Sequence, residues 1–314
     1  MLRSWQACFL LTGIVFLLQL FPYTGVFLMM LAAPFWSVLL INLGFVLMAR
    51  DSWRRTQSKW LLVFPVIWFG GYFCVAAASH WQAYRFNVAI ASANEDKLIS
   101  FDPAKRDILI EPDRKDSSNG SALTPDTMIE SFGLSRAYQV TDASQNKIQG
   151  YSLNGMPCPG QMGAGVSGNT VWQKLHDGGY GTGSRMTFAQ NLCLFISTTR
   201  PDKPIIRIRP QPQTESAGLA NYVSQNVAIT TPDNRTVVLR SGWAIPLSWF
   251  PQPVMGCWLN SGAPAWQCDA AFIREKLYDP KRDLTPNGAD DVVGRALGLT
   301  KASIRARYSG VGWR

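Results

Sequence analysis

The sequence predicts about three N-terminal transmembrane helices followed by an α+β, strand-rich exterior (periplasmic) domain. Three observations carry this: charge-poor apolar runs near the N-terminus, a basic loop between two of them, and four cysteines confined to the remainder. Of the 314 residues, 1–79 contain only Arg3, Arg50, Asp51, Arg54, Arg55 and Lys59 as charged side chains. The net charge of +9 is therefore shared between an apolar segment and an ordinary charged one. Neither part carries a Lys/Arg-rich run interleaved with aromatics, which argues against nucleic acid as a partner.

The first run, residues 5–21, ends at Phe21 and is followed by Pro22-Tyr23-Thr24-Gly25, residues suited to a tight reversal. Its length also suits the apolar core of a signal peptide. Against that, only Arg3 precedes it and no small-x-small cleavage site follows. Residues 26–49 read as a second span and 60–78 as a third, each long enough for about 30 Å of hydrocarbon. The intervening loop, RDSWRRTQSK at 50–59, places itself and the N-terminus in the cytoplasm by the positive-inside rule. Everything after about residue 79 is then expected outside, as one domain over 80–314 held to the lipid bilayer at the inner (plasma) membrane. Trp53, Trp60, Trp81 and Tyr84 fall where an interfacial aromatic belt is expected. Gln19 and Asn42 are the strongest polar groups within the runs, so no buried charge marks an ion or proton path. Gly70-Gly71 and Ala32-Ala33 offer small faces for helix docking.

Cys8 and Cys74 lie inside the runs, whereas Cys158, Cys193, Cys257 and Cys268 all lie in the expected exterior domain. An even number in an oxidising compartment suggests disulfides, with Cys257–Cys268 and Cys158–Cys193 favoured because each closes a modest loop. A zinc site is disfavoured because CxxC spacing is absent.

Within 80–314, NVAITTPDNRTVVLR at 226–240 reads as a hairpin turning at Pro232-Asp233-Asn234. IIRIR at 205–209 reads as a half-exposed edge strand, LCLFIST at 192–198 as a buried strand, and 106–112 and 137–141 as shorter ones. Helices are expected at 124–132, 269–278 and 289–298, the first capped by Thr124 with Pro125 at its first position. Residues 112–124 read as an exposed loop.

Four features compete for a functional role. The glycine-rich tract from Gly155 to Gly183 reads as a long irregular loop and matches no phosphate-binding pattern. Within it lie His176 and Asp177, the acid/base pair that a histidine-dependent hydrolase-like enzyme would have to use, although no Gly-x-Ser-x-Gly elbow accompanies them. The aromatic segment Trp243, Trp249, Phe250, Trp258 and Trp266, interleaved with prolines, is the best candidate platform for a partner. The tail with Arg295, Lys301, Arg305, Arg307 and Arg314 has cations suited to lipid headgroups. Asp290–Asp291 and Glu95–Asp96 read as cap or turn acids, not a glycosidase pair.

No pattern calls for a cofactor or a metal. With little chain left for a cytoplasmic output module, the expected role is a non-catalytic accessory, assembly or immunity factor that binds another envelope or membrane protein. A tethered periplasmic enzyme and a structural subunit of a larger inner-membrane complex are the alternatives.

Overall fold

The structure, a computed structural model, describes residues 3–54, 57–111, 123–142, 147–154, 164–167, 170–177, 187–260, 265–275 and 287–301. For 142, 154, 164–167, 170–177 and 187–192 it describes the backbone alone. The chain forms two compact units, Met1–Ala83 with Gly218–Ala220 and Ile245–Lys276, and the remainder. The sequence drew its boundary near residue 79, and the first unit also takes in a segment from near the C-terminal end.

In the first unit, helices α1 (Ser4–Gln19) and α2 (Pro22–Met30) meet at a bend of 119°. Pro22 occupies the first turn of α2, where its missing N–H costs nothing. The run 26–49 is not one continuous helix. It breaks at Ala32, whose φ of 53° is left-handed, and at Pro34; α3 (Trp36–Trp53) starts only beyond them. Proline cannot continue a helix, because its ring clashes with the preceding turn and it lacks the donor. The last helix, α4 (Lys59–Asn94), runs through a π-helical turn at Ile67–Gly71 that contains the Gly70-Gly71 pair.

Among the described residues, two helices are long and apolar enough to cross a membrane, or three if the bent α1–α2 pair counts as one span. Exposed Trp60 and Trp81 are separated on α4 by about 32 Å at ~1.5 Å per residue. Trp36 and Trp53 are about 26 Å apart on α3 by the same rise. These separations are compatible with aromatic belts at two membrane faces. The unit is completed by a two-stranded sheet of β11 (Pro253–Leu259) and β12 (Trp266–Phe272).

The second unit is built on a mixed sheet, in order β10-β9-β7-β1-β2-β3-β6-β5-β4, with β8 also on β9. Its strands are β1 (Asp107–Ile110), β2 (Arg136–Asp142), β3 (Lys147–Asn154), β4 (Ala164–Ser167), β5 (Thr170–Asp177), β6 (Thr187–Ser197), β7 (Ile205–Pro210), β8 (Thr214–Ser216), β9 (Asn221–Thr230) and β10 (Thr236–Ile245). β1 pairs in parallel with both β2 and β7. Ile108, Ile110, Ile206, Ile208, Ile229 and Leu239 point to one face, where they bury Met128 and Ile129 of α5 (Pro125–Phe132) and Val292 and Val293 of α6 (Ala289–Ala296). The Thr124 hydroxyl caps α5 by accepting from the Thr127 N–H at 3.4 Å, and Gly133 ends it with φ 69°. Asp290 and Asp291 sit in the first turn of α6, Asp291 paired with Arg295 at 3.1 Å.

The 226–240 hairpin forms as β9 and β10, with Asn234 left-handed in its turn. Two expectations are corrected. IIRIR is an interior strand, bonded to β9 on one side and β1 on the other; its arginines reach the sheet face that α5 and α6 do not cover. Of the helix expected at 269–278, residues 269–272 are instead strand, the end of β12, because Cys268 is tied to Cys257 and pairing with β11 overrides the helical preference of Asp-Ala-Ala-Phe; 276–278 lie outside the described residues. The exposed loop expected at 112–124 lies almost wholly outside the described residues, as do the tail beyond Lys301 and most of the glycine tract.

Candidate functional site: a cystine hairpin seated on apolar helices

Six side chains of the apolar helices, Gln19, Ser37, Asn42, Tyr72, Ser79 and His80, hydrogen bond the returning segment 245–276. Gln19, fully buried, accepts from the Cys257 N–H at 3.0 Å, and its backbone carbonyl accepts from the Trp266 indole at 3.2 Å. The Ser37 hydroxyl donates to the Pro253 carbonyl at 2.7 Å and accepts from the Met255 N–H at 3.0 Å. Asn42 donates to the Pro251 carbonyl at 2.8 Å while its own oxygen accepts from the Trp68 indole at 3.0 Å. Tyr72 donates to the Ser248 carbonyl at 2.9 Å. Ser79 bridges the Leu219 carbonyl and the Leu247 N–H at 2.7 and 3.0 Å, and His80 Nε2 meets the Leu247 carbonyl at 2.9 Å. A buried backbone group without a partner is costly, so these contacts let strand backbone lie against apolar helices.

Arg274 and Glu275 fasten the root of the hairpin. The Arg274 guanidinium donates to the carbonyls of Gly218 and Leu219 at 2.9 and 2.7 Å, and Glu275 accepts from the Ser248 hydroxyl at 2.6 Å. At the far end two glycines permit close approach. A Cβ on Gly25 would overlap the Trp266 ring, and one on Gly256 would overlap Pro34. The Cys257–Cys268 disulfide joins directly opposed residues with Cα atoms 4.0 Å apart. Of the other expected pair, Cys193 is buried on β6, and Cys158 lies outside the described residues.

The aromatic residues singled out in the sequence separate. Trp243 is buried on β10 in the second unit. Trp258 and Trp266 are partly buried on β11 and β12, flanking the disulfide. Trp249 and Phe250 are about half exposed (47 and 50%). Trp249 lies flat on the His80 ring, centroids 4.2 Å apart and planes 13° from parallel, with Phe73 at 5.6 Å; Phe250 rests beside Phe69 at 6.2 Å. An aromatic chain, Phe9–Phe45–Trp68–Phe272–Tyr72, lines the other side at centroid distances of 4.9–5.9 Å. It borders an open apolar groove of about 420 Å³ with Met255 and Ala271.

His176 and Asp177 lie on strand β5 opposite Phe188 and Thr187, not in a loop, and their side chains are outside the described part. Among the described residues no group of three or more His, Cys, Asp or Glu could hold a metal.

The second unit has its own polar cluster. Asp107 is 2% exposed, and its Oδ2 has no hydrogen-bond partner among the described residues. Arg136 donates to Asp202 at 3.0 Å and to the Tyr138 hydroxyl at 3.3 Å, and the Asp202 charge bears on Asp107. Burial pushes the Asp107 carboxyl up, against the opposing pull of a Lys203 backbone hydrogen bond and the charges of Arg136 and Lys203. A carboxyl whose pKa is raised on folding favours the folded state fully only below its unfolded pKa, and that advantage fades as pH rises through the folded value. Asp107→Asn is therefore expected to gain stability relative to the natural chain as pH is raised from about 4 toward neutrality. Hydrogen exchange of β1 and β2 in both proteins across that range measures it; a difference independent of pH would rule out the burial argument.

Comparison with protein-family models, curated proteins and solved structures found no match.

Proposed function

We propose that the chain is a non-catalytic accessory, assembly or immunity factor of a bacterial-type envelope that binds another envelope protein. It sits in the inner membrane with its N-terminus and the 50–59 loop cytoplasmic, and the sheet unit on the periplasmic side. The clustered Arg50, Arg54, Arg55 and Lys59 support that direction. The engagement of the Gln19 side-chain oxygen, the Ser37 hydroxyl and Asn42 with the backbone of the returning segment supports a seat for strands.

The observation that carries the binding role is the Trp249–Phe250 pair. Both rings are half exposed yet held by His80, Phe73 and Phe69. Exposed aromatics that are already immobilised lose little entropy on docking, the property of residues that dominate interface energetics.

A photoreactive phenylalanine analogue at 249 or 250, used in intact cells, tests this. A discrete protein adduct is expected from those positions and not from the exposed position Leu17 on α1. Trp249→Ala should weaken capture about thirtyfold while the Cys257–Cys268 bond still forms, since an interface anchor contributes ~2 kcal/mol or more. Adducts to lipid alone would reduce the pair to an interfacial anchor and end the proposal.

A further inference from the structure

The β11–β12 hairpin has two edges, and they are treated differently. Two backbone hydrogen bonds continue the ladder at its ends, Asn260 N–H to Ala265 O and Ile273 N–H to Gln252 O. With the register Cys257↔Cys268, they place Val254, Gly256 and Trp258 in hydrogen-bonded pairs with Ala271, Asp269 and Gln267. The alternate residues therefore direct their N–H and C=O groups away from the partner strand. On β11 the outward Pro253 carbonyl and Met255 N–H are met by Ser37 and the Cys257 N–H by Gln19, with Asn42 on the Pro251 carbonyl just before the strand, so these side chains stand where a third strand would. On β12 the outward backbone groups belong to Trp266, Cys268, Ala270 and Phe272, and among the described residues they meet no backbone partner. Residues 269–272 are exposed, and small Ala270 and Ala271 leave the backbone open to approach.

We infer that the outer edge of β12 is a self-association site, which pairs antiparallel with β12 of a second copy of this chain about a two-fold axis at Ala270. A row of alternating donors and acceptors is matched by extended polypeptide; an acyl chain has neither. At membrane depth such an edge is especially costly to leave unpaired. The two-fold at Ala270 brings Cys268 opposite the second copy's Phe272, so the outward groups of Cys268, Ala270 and Phe272 are all satisfied. It also sets Asp269 opposite the second copy's Ala271, which keeps the carboxylates from facing each other, as a self-complementary strand pair requires. This pairing is independent of whether Trp249 and Phe250 hold another protein.

The test uses the full chain in membranes with the free cysteines Cys8 and Cys74 replaced by alanine. Under mild oxidation Ala270→Cys is expected to give a species of twice the mass, because directly opposed residues in a hydrogen-bonded pair lie about 5.5 Å apart, within disulfide reach. Leu259→Cys, exposed on the other strand, is expected not to. Independently of any added cysteine, differently tagged copies should co-purify, and Ala270→Pro should reduce this at least tenfold. The Ala270 N–H points outward, so proline there removes no bond within the hairpin. An Ala270→Cys adduct with a different protein would overturn the inference, as would tagged copies that fail to co-purify.

Discussion

Ser37→Ala is expected to loosen the hairpin from its helices by about 2–6 kcal/mol. The hydroxyl is 4% exposed and serves two backbone groups of β11, donating to Pro253 and accepting from Met255. Alanine keeps the helix and the volume but leaves both groups buried and unmet, at ~1–3 kcal/mol each. Ser37→Thr retains the hydroxyl and should recover part of the loss. Ser92→Ala is the control: that hydroxyl is exposed and returns to its own helix at Ala89, so its removal should change stability by less than about 0.5 kcal/mol. Thermal unfolding of the full chain in detergent gives the stability change. The rate at which an impermeant reductant opens Cys257–Cys268 reports the hairpin itself. If Ser37→Ala and Ser92→Ala behave alike in both measurements, the hydroxyl does not hold the strand.

What made the apolar helices legible was composition, a property of each local window. The polar residues Gln19 and Asn42 also stand out in the sequence, but their purpose does not. Their partners Cys257 and Pro251 are 238 and 209 residues away, and no periodicity connects them. The continuous run at 26–49 misled because hydropathy cannot see that Pro34 and left-handed Ala32 interrupt a helix. The Cys257–Cys268 bond was legible from spacing alone, since one short hairpin brings the two together. β12 is hidden by its own residues, which prefer helix when taken alone and become strand only through pairing with β11. The aromatic segment was visible as a cluster of types; its division into a buried Trp243 and an exposed, stacked Trp249 depends on which unit each strand joins. For His176 and Asp177 the correction concerns the backbone: glycine-rich surroundings suggested a loop, and pairing with β6 makes a strand.

Ile208→Ala is expected to destabilise the sheet unit by about 2–5 kcal/mol, the usual range for emptying a fully buried isoleucine site. The size of the effect separates the two readings of IIRIR. An edge strand with one solvated side could relax around the smaller residue. In the observed fold β7 is flanked by β9 and β1, and Ile208 lies in the core with Ile110, Ile206 and Ile229, so the surroundings cannot close the space easily. Arg209→Ala, one residue along, tests the opposite face. Its side chain is exposed and paired with Glu111, a surface ion pair whose loss should cost at most about 1 kcal/mol. Denaturant midpoints of the full chain, followed by hydrogen exchange of β1 and β7, measure both substitutions. A strand with both sides bonded must show a large difference between these neighbours. Equal, small losses would mean that β7 is solvated at one edge, and the parallel pairing of β1 with β7 would then be untenable.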